Sequence, residues 1–263
     1  PLLPGATEPA SPSPLADHVV TLQTSHRFNP ESPIGRLAAA VNAGDADAAM
    51  AVGREGDPAV ALAIDDDPDL EVLADAYLPL LDAPSPEAAV DALDTVRLLT
   101  ATRVGPFGAA AMNQRIFEHL ARRRQLDVQA RWYHGRPVIV LHNDYRAGLF
   151  NGDTGICFTG ADGHLRIWFR TETGLQTLLP SAMPAHETAY AMTVHKSQGS
   201  EFDAVWLLLP PKDNAVLSRE LIYTGITRAR TRLAVLGAEA VFRVAVERVM
   251  RRASGLGERL LEP

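Results

Sequence analysis

The stretch AMTVHKSQGSEFDAV, residues 191–205, decides how this chain is read. An apolar run from Ala191 to Val194 passes into the polar turn His195-Lys196-Ser197-Gln198-Gly199-Ser200-Glu201 and returns to apolar sequence at Phe202. Two strands joined in this way put a dense set of hydrogen-bonding groups at the edge of a sheet, where α/β proteins bind their ligands. Gly199 permits close backbone approach, His195, Lys196, Ser197 and Gln198 can reach phosphate oxygens, and Glu201 can accept from a ribose hydroxyl. An unliganded polar loop uses the same residue types, so the surrounding sequence has to decide between the two.

Downstream, Ala204 to Leu209 and Leu233 to Leu236 read as core strands, Arg219 to Arg228 as a helix, and Ala238 to Arg252 as an amphipathic closing helix. On the upstream side Thr188 to Val194 reads as one core strand. Further back, Val96 to Thr100 is a buried strand, and the Gly105-Pro106-Phe107-Gly108 turn leads into a helix over about 109–124. Strands alternating with helices imply a mostly parallel sheet covered on both faces.

Between these α/β segments the texture changes. Pro137 to Leu141, Gly155 to Thr159, Leu165 to Phe169 and Gln176 to Leu179 are short β-type runs, separated by Asn143-Asp144, Asn151-Gly152-Asp153, Asp162-Gly163 and Thr173-Gly174 turns. Strands this closely spaced predict a small β-barrel inserted into the α/β host. At the other end, residues 1–14 carry five prolines and read as a linker, and Val19 to Leu22 as a short strand. Ser32-Pro33 predicts the start of a helix that runs through Ala40 and stops near Gly44, with further helices at about 45–52, 69–81 and 86–94. The expected organisation is therefore a linker over 1–14, the first part of an α/β domain over 15–134, the barrel over 135–184 and the second part of the α/β domain over 185–263.

Charge divides the chain. Residues 1–94 hold 3 basic and 17 acidic residues, and residues 95–263 hold 22 and 15, so a net −7 conceals a positive later part in which nucleic acid contacts are expected. The lone Cys157 cannot form an internal disulfide, which favours a reducing cytoplasm, and no apolar run approaches the roughly 20 residues needed to cross a bilayer. A chain that begins at Pro1 is expected to be a piece of a longer protein.

Residues 191–205 resemble motif V of the superfamily 1 helicases, in the form TxHxxQGxEF, and RELIYTGITRAR at 219–230 resembles their motif VI. The resemblance implies a RecA-like second motor domain with an inserted barrel of the Src-homology-3 type, in an ATP-driven DNA helicase. It makes Arg228 the arginine finger that reaches the γ-phosphate of ATP. Thr193 and His195 become contacts to the single-stranded DNA backbone, Gln198, Gly199 and Glu201 the turn that senses nucleotide, and Lys196, suited to either ligand, is placed with the DNA contacts. LQTSHRF at 22–28 resembles motif IV, which adds Arg27 as a second γ-phosphate contact.

LLTATRVGPFGAAAMNQRI at 98–116 and GRPVIVLHNDYRAGLFNGDTGI at 135–156 are similar to the RecD branch of that superfamily. That branch implies Asn113, with Arg103 beside it, as contacts to the DNA backbone. It also implies 5′→3′ movement, a role in double-strand-break repair and recombination, and RecB and RecC subunits as partners, with nuclease activity in RecB. The sequence has neither a GxxxxGK[ST] phosphate loop nor an acidic Mg²⁺-binding motif, so ATP and Mg²⁺ are expected to be held mainly by another domain. This chain alone should then be inactive. Two rival readings are a stand-alone RecD-like helicase and a non-catalytic helicase-derived scaffold; retention of Arg27, Glu201 and Arg228 together speaks against the scaffold.

Overall fold

Ser32 starts the first helix as a Ser-Pro pair should. Its hydroxyl accepts from the Gly35 amide at 3.1 Å, Pro33 fills the first turn, and Gly44 ends the helix in the left-handed region at φ 77°. The computed structural model describes residues 29–63 and 69–250. The linker, the strand expected at 19–22 and the motif at 22–28 with Arg27 lie outside them; the closing helix expected to reach Arg252 ends at Glu247, where Arg248 turns to extended backbone.

Helices α1 (Pro33–Ala43) and α2 (Ala46–Arg54) are followed by strand β1 (Val60–Ala63). Next come α3 (Leu70–Asp75), α4 (Leu78–Leu81), α5 (Pro86–Ala92), β2 (Val96–Thr100) and α6 (Ala109–Arg124). The β-rich region contributes β3 (Arg136–Val140), β4 (Thr154–Thr159), β5 (Leu165–Thr171), β6 (Gly174–Leu178) and β7 (His186–Thr188). The chain then forms β8 (Ala191–Thr193), a short 3₁₀ turn over Val194–Ser197, β9 (Phe202–Leu208), α7 (Arg219–Ile226), β10 (Ala229–Leu236) and α8 (Glu239–Glu247). No helix among the described residues is long and apolar enough to cross a membrane.

Five strands form an all-parallel sheet in the order β1-β10-β9-β2-β8. Alternation sends Leu99, Val205, Leu207, Leu233 and Val235 to one face, where Leu37, Val41, Met50, Ile222 and Phe242 of α1, α2, α7 and α8 cover them. Leu98, Ala204 and Leu208 point the other way, against Leu73, Tyr77, Leu80, Met112, Ile116 and Leu120 of the acidic half's helices and of α6. Each leucine buried in these layers is worth about 1.5–3 kcal/mol, so the two helix layers and the sheet stand or fall together. This is the α/β, RecA-like architecture expected from the sequence.

β1 was not expected. Val-Ala-Leu-Ala is short and has good helix formers, yet pairing of Val60 to Ala63 with Leu233 to Leu236 at the sheet edge overrides local preference.

The inserted segment is a second, wholly antiparallel sheet in the order β6-β5-β4-β3-β7. Val138, Val140, Ile167 and Phe169 make a core of their own, while Ile156 and Phe158 of β4 pack into the core beneath the parallel sheet.

The run expected as one strand over 188–194 is in fact divided between the two sheets. β7 pairs with β3, Ala189 and Tyr190 cross over, and β8 pairs with β2. Buried polar groups fix the crossing. The Tyr77 hydroxyl donates to the Tyr190 carbonyl at 2.6 Å and accepts from the Leu98 amide at 2.8 Å, and the fully buried Arg97 donates to the carbonyls of Ala189 and Leu93. Leaving any of these groups unpaired would cost about 1–3 kcal/mol, so the break in the strand has a physical cause. Burial pushes the Tyr77 phenol up to about 12, which keeps it a neutral donor at physiological pH.

Candidate functional site

Motif V runs from one edge of the parallel sheet to the other. Thr100 is level with both Thr193 of β8 and Leu208 of β9, so Thr193 lies at the C-terminal edge of the sheet. Phe202, where β9 begins, lies at the N-terminal edge, about 20 Å lower at the rise of a strand. Residues 194–201 cover that distance along the face on which α7 packs. The polar groups that the sequence places at one edge are thereby divided between two.

At the C-terminal edge, Thr193 caps the 3₁₀ turn, its Oγ1 accepting from the Lys196 amide at 3.3 Å, and the buried Ser197 hydroxyl donates to the Val194 carbonyl at 2.7 Å. His195, Gln198 and Gly199 are exposed. Gln198 at φ −61°, ψ 129° and Gly199 at φ 91° form a type II turn closed by the Ser200 amide on the Ser197 carbonyl at 3.0 Å. An added Cβ on Gly199 would meet nothing within 4 Å, so the glycine is required for its positive φ and not for close approach.

Lys196 and Arg103 converge on one carboxylate, Glu187 of β7. The Lys196 ammonium is 2.6 Å from Oε2, and Arg103 Nη2 donates to Oε1. Burial alone would raise the Glu187 pKa, but the hydrogen bond from Lys196 and the charges of Lys196 and Arg103 outweigh it and hold the carboxyl below its ordinary value.

Asn113, expected at the DNA backbone, is engaged elsewhere. Its Nδ2 donates to the Ala191 carbonyl at 2.8 Å and its Oδ1 accepts from the Ala191 amide at 2.9 Å. Among the described residues β8 is an edge strand, and Asn113 supplies the pairing a further strand would have given. It positions the strand that carries motif V.

At the N-terminal edge, motif VI meets the end of motif V. Ser218 caps α7, and Leu221, Ile222 and Ile226 anchor the helix, which delivers Arg228 to the start of β10. Arg228 is only 6% exposed: Nη1 donates to the Ser200 carbonyl at 3.1 Å, Nε to the Thr224 carbonyl at 3.1 Å, and Nη2 to Thr227 Oγ1 at 3.3 Å. The Phe202 amide in turn donates to the Arg228 carbonyl at 2.8 Å, so the guanidinium and backbone of one residue bracket Ser200 to Phe202. Glu201 lies within that bracket, with Arg230 Nε 3.6 Å from its carboxylate. The structure thus brings Glu201 and Arg228 together and sets them apart from Thr193, His195 and Lys196.

Glu187, Ser200 and Thr224 were not singled out in the sequence. Two of them act through backbone carbonyls, which no residue type announces, and Glu187 lies 9 residues from one partner and 84 from the other.

An all-parallel sheet whose motif V crosses between its edges and whose motif VI arginine closes on motif V defines the C-terminal domain of a superfamily 1 helicase. Residues 188–236 match the family described as the UvrD-like helicase C-terminal domain. The RecBCD enzyme subunit RecD of Mycolicibacterium smegmatis is 42% identical over 250 residues, 92% of this chain and 44% of that protein. The subunit of the same name from Haemophilus influenzae is 34% identical over 275 residues, 94% of this chain and 42% of that protein. The ATP-dependent RecD2 DNA helicase of Deinococcus radiodurans is 31% identical over 156 residues, 58% of this chain and 21% of that protein. The chain corresponds to the C-terminal portion of a superfamily 1 helicase of the RecD type, and it spans less than half the length of these relatives.

Proposed function

We propose that this chain is the second motor domain of an ATP-dependent DNA helicase that moves 5′→3′ on single-stranded DNA. In this reading it works with RecB and RecC in double-strand-break repair and recombination. The carrying observation is the path of motif V, which joins the edge bearing Thr193, His195 and Lys196 to the edge bearing Arg228.

In this reading the partner motor domain holds ATP and Mg²⁺ against the Arg228 edge. The γ-phosphate is a charged acceptor, stronger than a neutral one such as the Ser200 carbonyl, and closure of the two domains draws the guanidinium toward it. Arg27 approaches the same phosphate. Release of the Ser200 carbonyl frees the lower end of motif V. Gln198, Gly199 and Glu201 pass that change along the segment to Thr193, His195 and Lys196, which grip the strand. Hydrolysis reverses the motion, and repeated cycles move the strand in one direction. The antiparallel sheet, read as a barrel of the Src-homology-3 type, forms a wall beside the strand at the same edge.

Unwinding assays with the complete motor test direction. A duplex with a 5′ single-stranded tail should be opened with ATP and one with a 3′ tail should not; the reverse polarity would overturn the reading. Copurification with RecB and RecC separates the complex-forming form from a stand-alone helicase. The match to the subunit over more than nine-tenths of this chain, against 58% for RecD2, favours the former.

A further inference from the structure

The carboxylate that joins Arg103 to Lys196 belongs to a different sheet from either base. Lys196 lies in motif V and Arg103 in the loop after β2, both at the C-terminal edge of the parallel sheet, whereas Glu187 comes from the edge strand of the antiparallel sheet. Neither sheet's strand pairing requires this contact. Glu187 gives one oxygen to each base, the arrangement in which the two non-bridging oxygens of a phosphodiester would engage them.

The three side chains are 65%, 32% and 28% exposed for Arg103, Lys196 and Glu187, so a ligand can reach them from solvent. Beside them a cleft of about 410 Å³ opens between α6 and the antiparallel sheet, lined by Arg103, Arg131 and Arg136 with Glu187 as its one acid. The Arg136 guanidinium is fixed over the Trp132 ring and on Thr188, and Arg131 is exposed. The cleft is therefore a basic track on which a single carboxylate is clasped by two bases.

We propose that Glu187 is a stand-in for a strand phosphate: in the free protein it holds Arg103 and Lys196 in place, and a phosphodiester of single-stranded DNA displaces it and takes both bases. The proposal rests on the reading of this edge as the DNA side of the motor and adds the residue that sets how tightly the strand is held. Partly exposed ion pairs are weak enough to exchange, and release of counterions from the strand favours the exchange. By competing for the bases, Glu187 lowers affinity and lets the strand go in each cycle. The side-chain link it adds between the antiparallel sheet and motif V is then made only while DNA is absent.

The test is the affinity of the complete motor for a fluorescently labelled oligothymidylate, measured by anisotropy at several salt concentrations. Glu187→Gln should bind roughly three- to tenfold more tightly, the scale of the weak ion pairs no longer broken. Arg103→Gln and Lys196→Gln should each bind more weakly and reduce the slope of log affinity against log salt by about 0.7. The triple variant should lose the gain from Glu187→Gln. Should Glu187→Gln melt early, Glu187→Asp, which keeps the charge but is too short to reach both bases, must show a smaller gain. Unchanged or weaker binding by a folded Glu187 variant overturns the clasp and leaves the DNA reading standing. A wild-type protein with no salt-dependent binding overturns both.

Discussion

The guanidinium of Arg228 donates from Nη1 to the carbonyl oxygen of Ser200 at 3.1 Å, joining motif VI to the last turn of motif V. The proposed arginine finger is thus held on the Ser200 carbonyl of motif V and on Thr224 and Thr227 of its own motif. The contact ties the position of the guanidinium to the Ser200 carbonyl, so that a displacement of Arg228 would be felt at the end of motif V.

The 263-residue chain on its own should give no DNA-stimulated release of phosphate from ATP. Nothing in its sequence matches a phosphate loop, and an arginine finger stabilises charge only on a nucleotide that another site holds. Turnover above the level of a blank reaction, proportional to chain concentration, would contradict this.

Tyr77→Phe should lower stability by about 1–3 kcal/mol, because the lost hydroxyl leaves the buried Leu98 amide and Tyr190 carbonyl with their long 3.4 Å bond to each other in place of two shorter bonds to the phenol. Urea denaturation would register the change as a lower midpoint with an unaltered slope. A shift within error of zero would mean that the crossing between the sheets is held by other groups.

Asn113→Asp should loosen β8 while leaving α6 intact. A carboxylate still accepts from the Ala191 amide but repels the Ala191 carbonyl, to which Asn113 Nδ2 now donates. Hydrogen exchange at Ala191 to Thr193 should accelerate while the amides of Ile116 to Leu120 stay protected. Uniform acceleration would point to global destabilisation, and none at all would remove Asn113 from its positioning role.

Acid should weaken the antiparallel sheet first. Burial holds His134 and His186 below the ordinary histidine range, and His134 Nδ1 accepts from the Thr159 amide at 3.1 Å, which requires an unprotonated nitrogen. The unfolded chain takes up these protons near pH 6.5 and the folded chain only at lower pH, so their contribution is complete above that value and is lost as pH falls through it toward the folded values. Circular dichroism melts between pH 7.5 and 5, each pH a setting of roughly one unit about that histidine value, should show the loss. His134→Gln, which can still accept from Thr159, should lessen it, and a pH-independent midpoint in both proteins would refute the account.

Much of the α/β frame is legible in the sequence because its segments are long or strongly patterned. The strand at Val96 to Thr100 and the helix at 109–124 agree with the structure residue for residue, and Ser32-Pro33 and Gly44 mark α1 by capping chemistry alone. β1 is not legible, because four small apolar residues carry no period that separates strand from helix. Nor is the division between β7 and β8, since apolar residues on both sides of Ala189 and Tyr190 look alike until Tyr77 and Arg97 claim the carbonyls there.

The candidate site divides in the same way. His195, Lys196, Gly199, Glu201 and Arg228 are legible because charge, polarity and glycine stand out between apolar strands. The inward hold on Arg228 is not, since its acceptors include the carbonyls of Ser200 and Thr224. Asn113 reads, through the resemblance, as a contact to the DNA backbone, and its pairing with both backbone groups of Ala191 is not legible because the sequence does not show which edge of β8 is open.

The central claim, that Arg228 carries nucleotide state into motif V, is tested most directly by Arg228→Ala in the complete motor, with DNA-stimulated ATP turnover as the readout. The account predicts that turnover falls by on the order of 10³ to 10⁵ while the folded protein still binds single-stranded DNA. Turnover within a few fold of the unaltered protein would contradict it.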